Sequence, residues 1–163
     1  MNTPTSSAFV ALGSNLAEPQ AQVLQAFAAL SALPQTQLQA QSALYRSAPV
    51  GYAAQPDFIN AVALLETALS APDLLQSLLN IERDCGRIRD FRNAPRTLDL
   101  DLLLYGDLIM HEAGLTLPHP RMHERAFVLL PLLEIAPDCI IPGKGLAADY
   151  LAAVDAQAIE RIA

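Results

Sequence analysis

The sequence predicts an α+β protein with a ferredoxin-like β-α-β-β-α-β core, to which a hairpin and C-terminal helices are added. Three observations carry that expectation. Runs of strand length and runs of helical spacing follow one another in the order strand, helix, strand, strand, helix, strand. Turn and breaker residues punctuate them, at Gly13-Ser14-Asn15, at Pro34, between Ser47 and Pro56, at Gly86 and at Gly106-Asp107. At 163 residues, 52% hydrophobic and 17% charged, without repeats or low-complexity tracts, the chain suits a single domain over residues 1–163 that buries its own core.

The first strand is the apolar run Ala8-Phe9-Val10-Ala11-Leu12, ended by the Gly-Ser-Asn turn. From Glu18 to about Leu33, Val23, Leu24, Phe27 and Leu30 recur at helical spacing, with Pro19 suited to a first turn and Pro34 closing the segment. Gln37 to Arg46 alternates loosely and reads as one strand, and Phe58 to Thr67 is a more continuously apolar one. A second helix begins near Ala71-Pro72-Asp73, runs through Leu74, Leu75, Leu78, Leu79 and Ile81, and stops at Gly86. Leu98 to Tyr105 alternates Leu with Asp before turning fully apolar, which predicts a strand, and Gly106-Asp107 turns it toward Leu108-Ile109-Met110 as a hairpin. Glu124 to Ile135 is expected as a helix containing Pro131, and Leu146 to Ala153 as a last short one.

The longest apolar run, Ala126 to Leu133, contains Pro131 and falls well short of the roughly 20 residues a spanning helix needs, so no membrane segment is expected. The first seven residues lack the basic start and apolar stretch of a secretory signal, which makes a cytoplasmic location the expectation. Cys85 and Cys139 are then expected as reduced thiols. A formal charge of −7 opposes general nucleic-acid binding, which relies on Lys and Arg to neutralise phosphates. The basic residues are nevertheless concentrated. Five of the nine arginines, 83, 87, 89, 92 and 96, fall within fourteen residues, a stretch that suits an anionic ligand.

Asp99 and Asp101 are one residue apart in a strand, so both side chains leave the same face while Leu98, Leu100 and Leu102 leave the other. Two like charges this close need compensation, and their hard oxygens suit Mg²⁺ shared with phosphates; a solvated face salt-bridged to nearby arginines is the other reading. The upstream arginines are likewise open to two readings, phosphate ligands or a basic loop paired with the protein's own acids. Together, an acid pair and an Arg cluster point to phosphoryl transfer, where metals and guanidiniums neutralise charge on the transferred group.

The segment Arg92-x-Ala94-Pro95-Arg96-x-x-Asp99-Leu100-Asp101 closely resembles the signature of the 6-hydroxymethyl-7,8-dihydropterin pyrophosphokinases of folate biosynthesis. The likeness runs along most of the chain: Ala11-Leu-Gly-Ser-Asn15, Tyr45-Arg46-Ser47, Gln55-Pro56-Asp57-Phe58-Ile59-Asn60, Gly86-Arg87-Ile88-Arg89, Pro118-His119, Arg125-Ala-Phe127 and Pro131-Leu-Leu-Glu-Ile-Ala-Pro137. That resemblance implies an enzyme that moves a pyrophosphoryl group from ATP to the pterin alcohol and releases AMP. It implies two Mg²⁺ ions held by Asp99 and Asp101, with Arg87 and Arg96 assisting transfer. Arg89 and Arg92 match phosphate contacts, and Glu82, Leu102, Thr116, His119 and Arg125 match the ATP side. For the pterin it implies ring stacking between Phe58 and Phe127, edge reading by Asn60, and loop contacts from Ser47, Ala48 and Val50. ATP and the pterin are the expected partners of a monomer, without nucleic acid or membrane.

The chain departs from the family pattern at three places. Asn93 stands where an aromatic often covers the pterin, Pro120 follows His119 in place of an aromatic, and Ser47-Ala48 replaces a more usual Thr-Pro pair. Gly143-Lys-Gly145-Leu-Ala-Ala148 imitates a dinucleotide fingerprint, but no βαβ unit fits in the residues that follow it. The cysteines and His119 and His123 lack the paired spacing of a zinc module. The alternative function class is a non-catalytic ferredoxin-like module that binds a ligand or RNA; its RNA form would need exposed strand aromatics and a basic sheet.

Overall fold

The structure is a computed structural model that describes residues 4–15, 18–48, 57–84 and 98–162. The first strand, β1, runs Ser6–Ser14, so Gly13 and Ser14 belong to the strand and not to the turn after it. Helix α1 (Pro19–Ser31) takes its proline at the first turn, where the missing N–H costs no helical bond. Helix α2 (Ala71–Asp84) is started by Ser70, whose Oγ accepts the Asp73 N–H at 3.2 Å.

The single strand expected over 37–46 is two strands, β2 (Thr36–Gln41) and β3 (Tyr45–Ser47). Ser42 causes the break. Its N–H donates to the Val62 carbonyl and its Oγ accepts the Val62 N–H, both at 2.9 Å, so a side chain substitutes for the backbone ladder at that point. Both pieces pair antiparallel with the ten-residue strand β4 (Phe58–Thr67), β2 along residues 63–67 and β3 along 58–60.

Strand β5 (Asp99–Tyr105) lies antiparallel on the other side of β1. A bulge interrupts that pairing: Phe9 faces Leu104 and Val10 faces Leu102, leaving Leu103 extra. Before the bulge Leu100 and Leu102 point to one face of the sheet; after it Leu103 and Leu104 both pack on the other.

The expected hairpin exists but is built from other residues. After Gly106, whose N–H bonds the Ser7 carbonyl, the chain does not fold back on β5. It forms β6 (Met110–Glu112) and β7 (Leu115–Leu117), paired across Gly114, whose φ of 83° a side chain would oppose. The expected helix at 124–135 is a 3₁₀ turn (Met122–Glu124) followed by α3 (Ala126–Ile135), with Arg125 extended between them at φ −124° and ψ 116°. A two-residue hairpin, β8 (Ile140–Ile141) with β9 (Gly145–Leu146), comes next. The last short helix is a 3₁₀ turn (Ala147–Tyr150) running into α4 (Leu151–Val154). A strand that sequence reasoning missed, β10 (Ile159–Arg161), then pairs with β3.

The main sheet has helices on both sides and strand order β10-β3-β4-β1-β5 with β2 also beside β4, and every pairing in it is antiparallel. Two cores lie on its two faces. Ala8, Val10 and Leu12 of β1 meet Val23, Phe27 and Leu30 of α1 and Leu74 and Leu78 of α2, whereas Val62, Leu103 and Leu104 meet Leu129 and Leu132 of α3. No helix among the described residues is long and apolar enough to cross a membrane.

Candidate active site

Strand alternation gathers the site on the α3 face of the sheet. Alternate residues of a strand share a face, so Ala11 and Gly13 of β1, Phe58 and Asn60 of β4, Ser47 of β3, and Asp99 and Asp101 of β5 all emerge together. The register sets them side by side: Gly13 lies opposite Asn60 on one flank and opposite Asp99 on the other, and Ala11 lies opposite Asp101. A glycine between Asn60 and Asp99 leaves the floor open between the two polar groups.

These residues floor a cleft of about 630 Å³, within the range of sites for small organic ligands. Its walls come from Ala48, from Arg121, Glu124, Arg125, Ala126 and Phe127 around the start of α3, and from Gln157, Ala158 and Ile159 near the C-terminus. Of the sequence-predicted residues the structure therefore brings together Ser47, Ala48, Phe58, Asn60, Asp99, Asp101, Arg125 and Phe127.

Asn60 is buried and its Nδ2 donates to the Ser47 Oγ at 2.7 Å, while its Oδ1 lies beside Gly13. The carboxamide is thus held in place from its nitrogen side by a neighbouring strand. The Arg125 guanidinium carbon lies 5.5 Å from the centre of the Phe127 ring, a cation–π distance that aligns the two side chains along one wall.

His119 is placed by its N–H bond to the Leu103 carbonyl at 2.9 Å. Its Nδ1 accepts the Arg121 N–H at 3.2 Å, which leaves the proton of the neutral ring on Nε2. Burial pushes its pKa below the usual histidine value; nearby Asp101 opposes that shift, and Arg125 and Arg121 reinforce it.

Glu82, Leu102, Thr116 and His119 are not part of the cleft lining. Glu82 is buried at the end of α2, and its Oε2 accepts the Leu100 N–H at 2.7 Å, which ties the helix to the strand segment between the two aspartates. The Leu102 side chain belongs to the core on the α1 and α2 side, and Thr116 sits in β7 opposite His111. Val50, Arg87, Arg89, Arg92 and Arg96, with Asn93, lie outside the described residues, as does Cys85.

Asp99 is half-buried and Asp101 exposed, and among the described residues no group of three His, Cys, Asp or Glu is placed to hold a metal ion. Two carboxylates on one strand face match the sparse protein ligation of Mg²⁺, which keeps waters and takes its other oxygens from phosphates.

Sequence reasoning missed Gly13 as a floor residue, Arg121, Glu124, and the whole Gln157–Ile159 wall. Arg121 carried a readable signal, an arginine two residues after His119 in a basic-poor stretch. Gln157 carried none.

The sequence profile of the 7,8-dihydro-6-hydroxymethylpterin-pyrophosphokinase (HPPK) family matches residues 9–137. A 2-amino-4-hydroxy-6-hydroxymethyldihydropteridine pyrophosphokinase of Pseudomonas aeruginosa is 49% identical over 154 residues, covering 94% of this chain and 95% of that one. One of the same name from Haemophilus influenzae is 47% identical, with 89% and 91% covered. Among solved structures, a Plasmodium falciparum HPPK-DHPS with pterin and p-hydroxybenzoate matches at a TM-score of 0.75 and 14% identity over 99% of this chain. An HPPK-DHPS in complex with substrates matches at 0.74 and 13% over 94%. This chain spans 48% and 44% of the length of those two, and at such identities the likeness is one of fold.

Proposed function

The chain belongs to the 7,8-dihydro-6-hydroxymethylpterin-pyrophosphokinase family, and on that premise we propose that it transfers pyrophosphate from ATP to 6-hydroxymethyl-7,8-dihydropterin, releasing AMP, in folate biosynthesis. One observation carries the site reading: an amide, Asn60, and an acid pair, Asp99 and Asp101, stand on one open sheet face beneath the Arg125 and Phe127 wall. A flat heterocycle with a lactam edge needs the first, and a phosphate chain needs the second.

The pterin ring lies between Phe58 and Phe127, with Ser47, Ala48 and Val50 at its margin. Asn60 offers Oδ1 to a ring N–H, its nitrogen being already engaged by Ser47. The hydroxymethyl oxygen then points along the floor past Gly13 toward the aspartates. Attack at the β-phosphorus breaks its bond to the oxygen bridging to the α-phosphorus, and that oxygen leaves with AMP.

Asp99 and Asp101 would hold Mg²⁺, which when bound neutralises charge on the transferred group and aligns the phosphates. Arg125 supplies positive charge from the α3 wall, and neutral His119 offers its Nε2 proton to a phosphate oxygen. Arg87 and Arg96 assist transfer and Arg89 and Arg92 contact phosphate, with Thr116 and the Leu102 backbone on the ATP side. Glu82 acts through Leu100, setting the strand that presents both aspartates. The proposal includes a ferredoxin-like core, one domain over residues 1–163, a monomer and a cytoplasmic location. A net charge of −7 and a cleft floored by two acids do not favour an RNA-binding module.

The test is turnover of ATP and 6-hydroxymethyl-7,8-dihydropterin with Mg²⁺, in which AMP is the expected nucleotide product; ADP, or no reaction, overturns the reading. Asp101→Asn should lower kcat by at least about 100-fold with an unchanged melting curve, because an exposed carboxylate is lost and no core volume. Near-normal turnover in that variant would take the acid pair out of the mechanism.

A further inference from the structure

Arg125 sits at a junction that its own segment holds only on the helix side, where its carbonyl accepts the Val128 and Leu129 N–H groups. It lies extended between the 3₁₀ turn and α3, and no side chain of its own segment caps the helix. The cap comes from 31 residues away. Gln157 Oε1 accepts the Ala126 N–H at 2.9 Å, and Gln157 Nε2 donates to the Glu124 carbonyl at 2.8 Å. One carboxamide thus grips the backbone on both sides of Arg125.

The grip is anchored in turn. The Gln157 N–H bonds the Val154 carbonyl at the end of α4, and two residues on, Ile159 pairs with Ser47 of β3, the serine that holds Asn60. Gln157, Ala158 and Ile159 all line the cleft, downstream of residues 9–137 that the family profile matches. A three-residue segment therefore joins the wall that bears Arg125 to β3, whose Ser47 holds the edge-reading Asn60.

We infer that Gln157 is a positioning residue of the transfer site, fixing the direction of Arg125 by clamping the Glu124 carbonyl and the Ala126 N–H, an inference that rests on the pyrophosphokinase reading of the cleft. Gln157 is exposed and fills no core, so its effect is on geometry. Gln157→Met keeps the chain length and removes both hydrogen bonds.

The expected result is a fall of about 10-fold in kcat/KM for the pterin, with the melting midpoint within a few degrees of the parent. In an Arg125→Ala background the same change should cost less than about 2-fold, because the group it positions is gone. Equal losses in both backgrounds, or no loss in either, overturn the inference. A second readout needs no turnover: the Ala126 amide should exchange with solvent at least about 10-fold faster in Gln157→Met, and unchanged exchange there overturns the clamp even if the enzyme reading fails. If Gln157→Met does not fold, Gln157→Glu serves, since it keeps the acceptor for Ala126 and sets an oxygen against the Glu124 carbonyl. It should protect the Ala126 amide yet still lower kcat/KM, and an unprotected amide or parental kcat/KM overturns the inference.

Discussion

Gly13 separates the amide of Asn60 from the carboxylate of Asp99 across neighbouring strands, and a side chain larger than a methyl group there would interrupt the cleft floor. A Cβ there would lie 3.5 Å from Asn60 Oδ1, an ordinary contact, so Gly13→Ala should be nearly silent. Gly13→Val adds an isopropyl group, two methyl groups more than alanine, at a position where a β-branched residue suits the backbone. KM for the pterin should rise at least about 10-fold while the melting midpoint holds or rises, since glycine in a strand is itself a weakness. Steady-state kinetics beside a melting curve decide the matter, and a valine variant with parental KM would refute the open-floor account. The common direction of Asp99 and Asp101 was legible beforehand, because two-residue alternation is intrinsic to any strand; that Phe58 and Asn60 share it depends on the pairing of β4 and β5 with β1. Gly13 was not: a Gly-Ser-Asn triplet reads as a turn, and only its pairing with β4 and β5 keeps it in the strand.

Strand β3 is three residues long and carries Ser47 to the site, so its position depends on what braces it. Besides β4 and β10 it has Glu134 of α3, which accepts the Tyr45 hydroxyl at 2.6 Å and the Ala43 N–H with both oxygens at 3.1 Å. Burial, then the hydrogen bond to Glu134 and its charge, push the Tyr45 hydroxyl up from 10.0 to about 12. A folded-state value above the unfolded one means that the unfolded chain loses this proton first. The stabilisation is therefore whole below about pH 10 and is lost as pH rises to about 12. Urea unfolding from pH 8 to 12 should show that loss in the parent and a shallower one in Tyr45→Phe, which should also be weaker by about 1 kcal/mol at pH 8. Identical pH dependence in the two proteins would remove Tyr45 from the account. Helices α1, α2 and α3 were legible because apolar spacing and Pro or Gly ends mark them locally. Strand β10 was not, since Ile-Glu-Arg has no strand pattern of its own and acquires its pairing from Arg46, 114 residues away.

At the scale of the molecule, one sheet divides two cores, and only one of them lies under the site. The bulge at Leu103 makes this division possible: β5 sends Leu100 and Leu102 to the α1 and α2 side, frees Asp99 and Asp101 for the opposite face, then turns Leu103 and Leu104 beneath α3. Hydropathy shows that Leu100 and Leu102 to Leu104 are buried, and alternation sets Leu100 and Leu102 opposite the aspartates; that Leu104 joins Leu103 on the α3 side depends on a bulge that a single strand does not reveal. The division separates stability from binding. Leu74 of α2 and Leu129 of α3 are both fully buried, so replacing either with alanine should cost about 2–5 kcal/mol in chemical denaturation. Leu74 packs in the core away from the cleft, and in Leu74→Ala the folded fraction should keep KM within about 2-fold of the parent. Leu129 seats the helix that begins with Ala126 and Phe127 and follows Arg125, so in Leu129→Ala KM for the pterin should rise several-fold as that wall settles into the space left behind. Kinetics taken well below each variant's melting midpoint compare the two, and a rise in KM that is equal in both would mean that the cores do not act separately and that the sheet transmits packing defects from either face.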